Sequence, residues 1–380
     1  MNHRIWLSLA HMGGKEMDFV KEAFDTNWVV PLGPNVDGFE IALEKYLNAD
    51  KKVVALSSGT AAIHLGLLQL GVKVDDEVIC QSFTFSASAN PITYLGAKPV
   101  FIDSESDSWN IDSDLLEDAI NERIKITGKK PKAIIPVHLY GMPANMDNIL
   151  KISNHYQIPV LEDAAEALGS EFKGKKCGTF GEFACLSFNG NKIITTSGGG
   201  ALVCSSERQS DKTKFYATQA RDNAPHYQHS EIGYNYRMSN VCAGIGRGQL
   251  LVLQDHIEKR RANNLFYRQE LGCIDGISFQ SEPDANFYSN YWLTTILVDP
   301  LKTRGKTRED LRIALAAKDI ETRPLWKPMH LQPVFNSCPA YLNGVSESLF
   351  NNGLCLPSGS NLTDNDKDFI VKEIKKLLKK

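Results

Sequence analysis

Apolar residues between about positions 53 and 204 fall into two alternating patterns. Short β-branched runs at 53–56, 76–80, 99–102, 133–137, 158–161, 184–188 and 201–204 read as buried strands. Between them, residues 60–70, 112–126 and 146–156 repeat at helical spacing, with Gly71 placed to end the first. Strand and helix in alternation predict an α/β fold: a large domain with a mostly parallel, seven-stranded-type sheet flanked by helices. In such sheets ligands bind beyond the carboxyl ends of the strands, so the loops that follow them hold the chemistry. Residues 249–270 read as a long helix leading out of this unit. Beyond it, alternation at 291–298, a helix at 307–318 and an amphipathic tail at 369–380 predict a smaller C-terminal α+β domain. The expected division is 1–255 for the large domain and 256–380 for the small one, with the N-terminal segment able to join the latter. The tail's lysines read as the solvated face of a helix docked on its own domain.

Composition narrows the function classes. A chain of 380 residues exceeds the commonest single-domain size, which supports two domains. A net charge of −3 without a basic stripe makes nucleic acid an unexpected partner. Eight scattered cysteines without a C-x-x-C pair predict reduced thiols and no metal site. The apolar run at 5–10 lacks a signal-cleavage pattern, and nothing approaches the ~20 apolar residues of a membrane span. A cytoplasmic protein without membrane insertion is expected.

Three strand ends concentrate polar chemistry. Ser57-Ser58-Gly59-Thr60-Ala61-Ala62 leaves a strand and opens a helix, where free N–H groups suit an anion. Alone, it reads better as a helix capped by Ser58. In the second, Glu162 and Asp163 project to opposite sides of a strand and so serve different purposes. A carboxylate at a buried strand tip needs a cation or hydrogen bonds, though an acid in a first helical turn is the commoner reading of this loop by itself. The third sets Lys192 on a turn between two buried strands, followed by Ser197-Gly198-Gly199-Gly200. Alone, Lys192 reads as a surface lysine. Together the three supply an amine, an acid and an anion cup, which are the requirements of pyridoxal phosphate: an amine for its aldehyde, an ionised acid at its ring nitrogen and a phosphate site.

The chain resembles the DegT-type sugar aminotransferases of the aspartate-aminotransferase-like fold. The resemblance runs in order through Gly33-Pro34, Ser58-Gly59-Thr60-Ala61-Ala62, Thr84-Phe85, Glu162-Asp163-Ala164-Ala165, Ser187-Phe188 with Lys192, Gly233-Tyr234-Asn235-Tyr236-Arg237-Met238, and Arg323-Pro324 with Pro328-Met329-His330. It implies that Lys192 is the catalytic lysine, bonding the cofactor and shuttling protons, and that Asp163 partners the pyridine nitrogen. It places Phe85 on the cofactor face, Ser58, Gly59, Thr60 and Ser187 at the phosphate, and Glu166 near the phenolic oxygen. Asn235 would reach the phosphate of a neighbouring subunit's cofactor, which implies a homodimer with shared sites. Arg237, Trp326 and His330 would face the sugar nucleotide. His138, at another strand end, reads equally as a satisfied structural histidine. Two positions depart from the family: Ser197-Gly198-Gly199-Gly200 stands where Gly-Glu-Gly-Gly is common, and Glu166 where glutamine is frequent.

The implied activity is transfer of an amino group from L-glutamate to a 4-keto-6-deoxy sugar nucleotide, in cell-surface polysaccharide or glycan biosynthesis. Residues 323–330 are similar to 4-aminotransferases of UDP-linked N-acetylhexosamines, while GDP- and dTDP-linked keto sugars stay open. A sugar 3-dehydratase of the same fold carries histidine in place of the lysine, so Lys192 argues against that reading. A plain nucleotide-binding protein would show G-x-G-x-x-G after its first strand, which Ser57-Ser58-Gly59-Thr60 is not.

Overall fold

The computed structural model describes residues 4–378. Seven strands form one continuous sheet in the spatial order Lys52–Leu56, Gly200–Cys204, Phe183–Ser187, Leu161–Asp163, Ala133–Ile135, Glu77–Gln81 and Lys98–Ile102. Its two halves join through the parallel bridges Ile134–Val160 and Val137–Asp163. Gly200–Cys204 runs antiparallel to both neighbours, and the other pairings are parallel. The reason lies in the connection before it. Residues 188–199 contain no helix to carry a parallel crossover, so the chain turns back on itself, and Lys192 sits in that turn.

Period-two alternation decides which element covers which face. Val53, Ala55, Ala184, Leu186, Ala201 and Val203 share a core with Phe39 and Leu43 of the helix Pro34–Leu47 and Ile257 of Leu253–Leu271. Val54, Leu56, Cys185 and Leu202 pack on the opposite side with Ile63 and Leu67 of Gly59–Gln69. Each fully buried valine or leucine contributes ~1.5–3 kcal/mol by leaving water.

A second sheet, antiparallel, is built from Ile277–Phe279, Thr294–Val298, Gly353–Leu356 and Arg323–Pro324. Helices Leu253–Leu271, Arg308–Ala316 and Asp364–Leu378 close its core around Tyr267, Ile296, Leu311 and Ile370. Ile5 belongs to the same core and pairs with Ile320. The chain also returns to the large sheet. Ala340–Tyr341 pairs in parallel with Phe101 and Ile102, and the buried Asp103 carboxylate accepts the amides of Asn343, Gly344 and Ser346.

Two elements differ from expectation. The helix expected at 249–270 is two, Asn240–Leu250 and Leu253–Leu271. Val252 leaves helical geometry between them (φ −113°, ψ 9°), with Gly13 pressed against its methyls. Leu251 is exposed whereas Leu253 is fully buried, so the apolar period slips by a residue at the break. The terminal helix is Asp364–Leu378; Lys379 and Lys380, part of the expected tail, lie outside the described residues, as do residues 1–3. No helix among the described residues is long and apolar enough to cross a membrane.

Candidate active site

A cavity of about 360 Å³ opens where the sheet strands end, on the side the parallel-sheet rule selects. Its wall gathers Ser58, Gly59, Thr60, Phe85, Asp163, Glu166, Ser187, Lys192 and Trp326 from segments spread over much of the chain.

The floor is an anion cup. Ser58 caps the helix Gly59–Gln69 by accepting the Ala61 amide at 3.0 Å, so its hydroxyl serves the helix, as the simpler reading of this turn held. The amides of Gly59 and Thr60, too early in the helix to find carbonyls, have no partner among the described residues. Packing is tight here: a Cβ on Gly59 would lie 3.1 Å from the Cys185 sulfur and 3.2 Å from Ser187, which would have to give by a few tenths of an ångström, while one on Gly200 would lie 2.3 Å from the Gly59 nitrogen, which requires glycine there. The departure before Gly200 is softer. Ser197 takes a left-handed conformation (φ 70°), and a Cβ on Gly198 would meet nothing within 4 Å.

Asp163 and Glu162 separate as the pleat demands. Glu162, fully buried, accepts amides from Gly178 (2.9 Å), Phe180 (2.6 Å) and Gly181 (2.7 Å). His138 donates to it from Nε2 at 3.0 Å while accepting the Ala144 amide at Nδ1. His138 is therefore a satisfied structural histidine, and Glu162 ties the loop at 178–181 to the sheet. Burial would raise the Glu162 carboxyl, but His138 and the Gly181 and Gly178 amides outweigh it and hold the group below 4.5. Its contribution to stability is then complete above pH 4.5 and lost as the pH falls through its lower folded value. Glu162→Gln should flatten this acid limb. Between about pH 5.5 and pH 3.5, the urea midpoint of the variant is expected to change less than that of the wild type.

Asp163 turns the other way, into the cavity. It is 5% exposed, accepts the Ser88 hydroxyl at 2.6 Å and the Ala165 amide at 3.1 Å, and forms no ion pair among the described residues. A buried carboxylate facing a cavity without a cation is costly. A protonated ring nitrogen is the partner it lacks. With a lysine amine and two free amides in the same cavity, the residues present fit pyridoxal phosphate.

Lys192 reaches the cavity with its ammonium 3.5 Å from Glu166 and 4.2 Å from the centre of the Trp292 ring. Burial raises the Glu166 carboxyl above 4.5 and Asp163 adds to the rise, against Lys192 and the Tyr140 amide, which donates to it at 2.7 Å. The acid in place of glutamine therefore holds its proton more readily than an exposed one. Phe85 and Trp326 lie 5.3 Å apart at the mouth, and Trp326 stacks on Tyr140, whose hydroxyl accepts the Trp326 amide.

Three anticipated residues lie away from this chain's own cavity. Arg237 is taken by Glu40 and the Ala55 carbonyl, a structural pair beneath the sheet edge. His330 accepts the Ser82 hydroxyl at 2.7 Å through Nδ1. Asn235 is exposed, paired with Thr218, next to Tyr236 whose carbonyl accepts the Ser57 amide. Conversely, Ser88, Tyr140 and Trp292 were not anticipated. Tyr140 carries a signal visible only in three dimensions, a bulky buried residue at φ 55°.

A mostly parallel sheet with one reversed strand, a lysine in the reversing turn and an acid one strand away is the architecture of a pyridoxal-phosphate-dependent aminotransferase. The chain belongs to the DegT/DnrJ/EryC1/StrS aminotransferase family, whose sequence pattern matches residues 11–375. It is 50% identical to EpsN of Bacillus subtilis, assigned as a pyridoxal phosphate-dependent aminotransferase, over 98% of this chain and 95% of that protein. It is 36% identical to the GDP-perosamine synthase of Escherichia coli O157:H7, over 95% of each. Among solved structures, Spr1654 of Streptococcus pneumoniae, assigned as a sugar aminotransferase and determined in a PLP form, superposes with a TM-score of 0.90 at 26% identity, covering 99% of each chain. The protein is thus a pyridoxal-phosphate-dependent sugar aminotransferase of this family.

Proposed function

We propose that the enzyme moves an amino group from L-glutamate to a 4-keto-6-deoxy sugar nucleotide, a UDP-linked N-acetylhexosamine, with Lys192 as its catalytic lysine. The observation that carries the assignment of chemistry is the convergence of Lys192 and the unpaired Asp163 on one cavity. When bound, pyridoxal phosphate supplies an aldehyde that takes up the donor's amine and a protonated ring that draws electrons from the substrate carbon. Asp163 keeps that ring nitrogen protonated, because neutralising it would restore a bare buried carboxylate. The Gly59 and Thr60 amides and the Ser187 hydroxyl hold the phosphate. Phe85 would cover one face of the ring at the cavity mouth, and Glu166, whose burial favours its protonated form, would lie near the phenolic oxygen. Lys192 would hold the cofactor by its aldehyde carbon and would move protons through its Nζ when free. Asn235, exposed on the segment beside the cup, serves the site of a second subunit in a homodimer.

Glu166→Gln tests the unusual acid. The variant keeps an acceptor for the Tyr140 amide and loses the titration, so turnover is expected to stay within about tenfold of wild type. The wild type changes activity as the pH falls through the raised Glu166 value, and the variant should lack that step. An unchanged acid limb would remove Glu166 from this role.

The acceptor is supported by the likeness of residues 323–330 to 4-aminotransferases of UDP-linked sugars. The 36% identity to a GDP-perosamine synthase favours a GDP-linked 4-keto sugar as the second reading. Mass spectrometry of products from a panel of UDP-, GDP- and dTDP-linked keto sugars, with glutamate as donor, separates them. The proposal expects the UDP-N-acetyl substrate to give the highest kcat/KM, and preference for the GDP sugar overturns it.

A further inference from the structure

The carbonyls on both sides of Lys192 are held from one face of the helix Leu253–Leu271. His256 donates from Nδ1 to the Ile193 carbonyl at 3.2 Å. One turn further on, Arg260 is 1% exposed and donates to the Trp292 carbonyl at 2.5 Å and to the Ser8 hydroxyl at 3.0 Å. The Ser8 hydroxyl donates to the Asn191 carbonyl at 2.7 Å, and the Trp292 indole N–H donates to the same carbonyl at 2.8 Å. Two branches therefore leave Arg260 and rejoin at the peptide immediately before Lys192.

Stability does not account for a group like this. Arg260 forms no ion pair among the described residues, and its Nε is buried without a partner. Burial pulls the guanidinium down to about 9, so it remains a cation at neutral pH. Apolar groups of similar volume commonly serve a fold as well as buried charges do, or better. What this one does is fasten the N-terminal strap. Leu7 donates its amide to Glu321 and accepts that of Ser358, and Ile5 pairs with Ile320, so the strap reaches Ser8 already fixed to the smaller sheet.

We propose that Arg260, acting through Ser8 and Trp292, is a positioning residue that aims Lys192 into the cavity. Through Ser8 it locks the carbonyl that precedes the lysine, and it holds the backbone of Trp292, on whose ring the lysine ammonium rests. The proposal rests on the assignment of Lys192 and goes beyond it, since Arg260 lines no part of the cavity.

The test uses Arg260→Met, Arg260→Lys, Ser8→Ala and the Arg260→Met/Ser8→Ala pair as holoenzymes. Two quantities are read: the rate at which each loses pyridoxal phosphate on dilution, and the visible circular dichroism of the bound cofactor, which reports its orientation. Arg260→Met is expected to speed release about tenfold, the effect of losing a buried charged hydrogen bond, and to diminish the dichroism. Ser8→Ala should do so less, and Arg260→Lys should fall between Met and wild type. The double variant should be no worse than Arg260→Met, because both changes act on one carbonyl. The melting temperature of each apoprotein is read alongside: Arg260→Met should lower it by leaving the buried Trp292 carbonyl without its donor, whereas a merely structural arginine would leave the cofactor's dichroism unchanged. Wild-type release and dichroism in both Arg260→Met and Ser8→Ala overturn the proposal. If Arg260→Met does not fold, an unchanged Ser8→Ala overturns it alone. Borohydride reduction of the wild type keeps the premises apart: a label on a residue other than Lys192 overturns the lysine assignment itself.

Discussion

Replacing Lys192 with alanine is expected to leave a folded protein whose turnover has fallen by at least about four orders of magnitude. Of the surrounding groups, Glu166 loses one partner at 3.5 Å and the rest keep theirs. Glu166 keeps the Tyr140 amide, the Asn189 carbonyl is met by the Lys192 backbone and not its side chain, and Trp292 is held by its own indole N–H. The melting temperature of the apoprotein should therefore stay close to wild type while transamination stops. Lys192→Arg sharpens the result. Arginine preserves a cation over the Trp292 ring, but it keeps its proton at neutral pH and so cannot bond an aldehyde or carry protons. Both variants should be equally inactive, and visible absorbance after loading with cofactor should change in both. Turnover by either within about tenfold of wild type would sink the assignment.

The strand-end loops were legible in the sequence because each required unusual local chemistry at a predictable place. Gly59 and Gly200 are read as glycines for a reason the structure makes concrete: the cup turn and the reversed strand touch backbone to backbone. The pleat separated Glu162 from Asp163 before any coordinates did, and the two carboxylates indeed face different partners. Tertiary partners were not legible. Trp292 and Tyr140 come to Lys192 and Glu166 from distant segments, and no local pattern marks either. Arg237 beside a motif reads as a ligand contact until Glu40, 197 residues away, is seen to hold it. Likewise the break at Val252 depends on Gly13 packing against it from the N-terminal region, so periodicity alone runs the two helices together.

Asp163→Asn should produce opposite effects on the empty fold and on the working enzyme. In the apoprotein Asp163 is 5% exposed, with two hydrogen bonds and no ion pair among the described residues. Asparagine occupies the same volume, its Oδ1 accepts the Ala165 amide and its Nδ2 donates to the Ser88 hydroxyl, so removing the charge relieves desolvation cost, and the apoprotein should melt at the same temperature or higher. The bound state loses what the charge is there for. Without an anion beside it the pyridine nitrogen gives up its proton, and the ring no longer draws electrons from the substrate carbon. Turnover is expected to fall about 10²- to 10⁴-fold, the scale of breaking one buried ion pair of about 3–5 kcal/mol. Added cofactor, which binds only the folded state, should raise the melting temperature of the variant less than that of the wild type. Ser88→Ala serves as the graded control. It keeps the charge and removes one hydrogen bond to it, so a loss of about tenfold or less is expected. An Asp163→Asn enzyme that is less stable without cofactor yet transaminates normally would show that the carboxylate serves the fold and that the ring nitrogen finds its partner elsewhere.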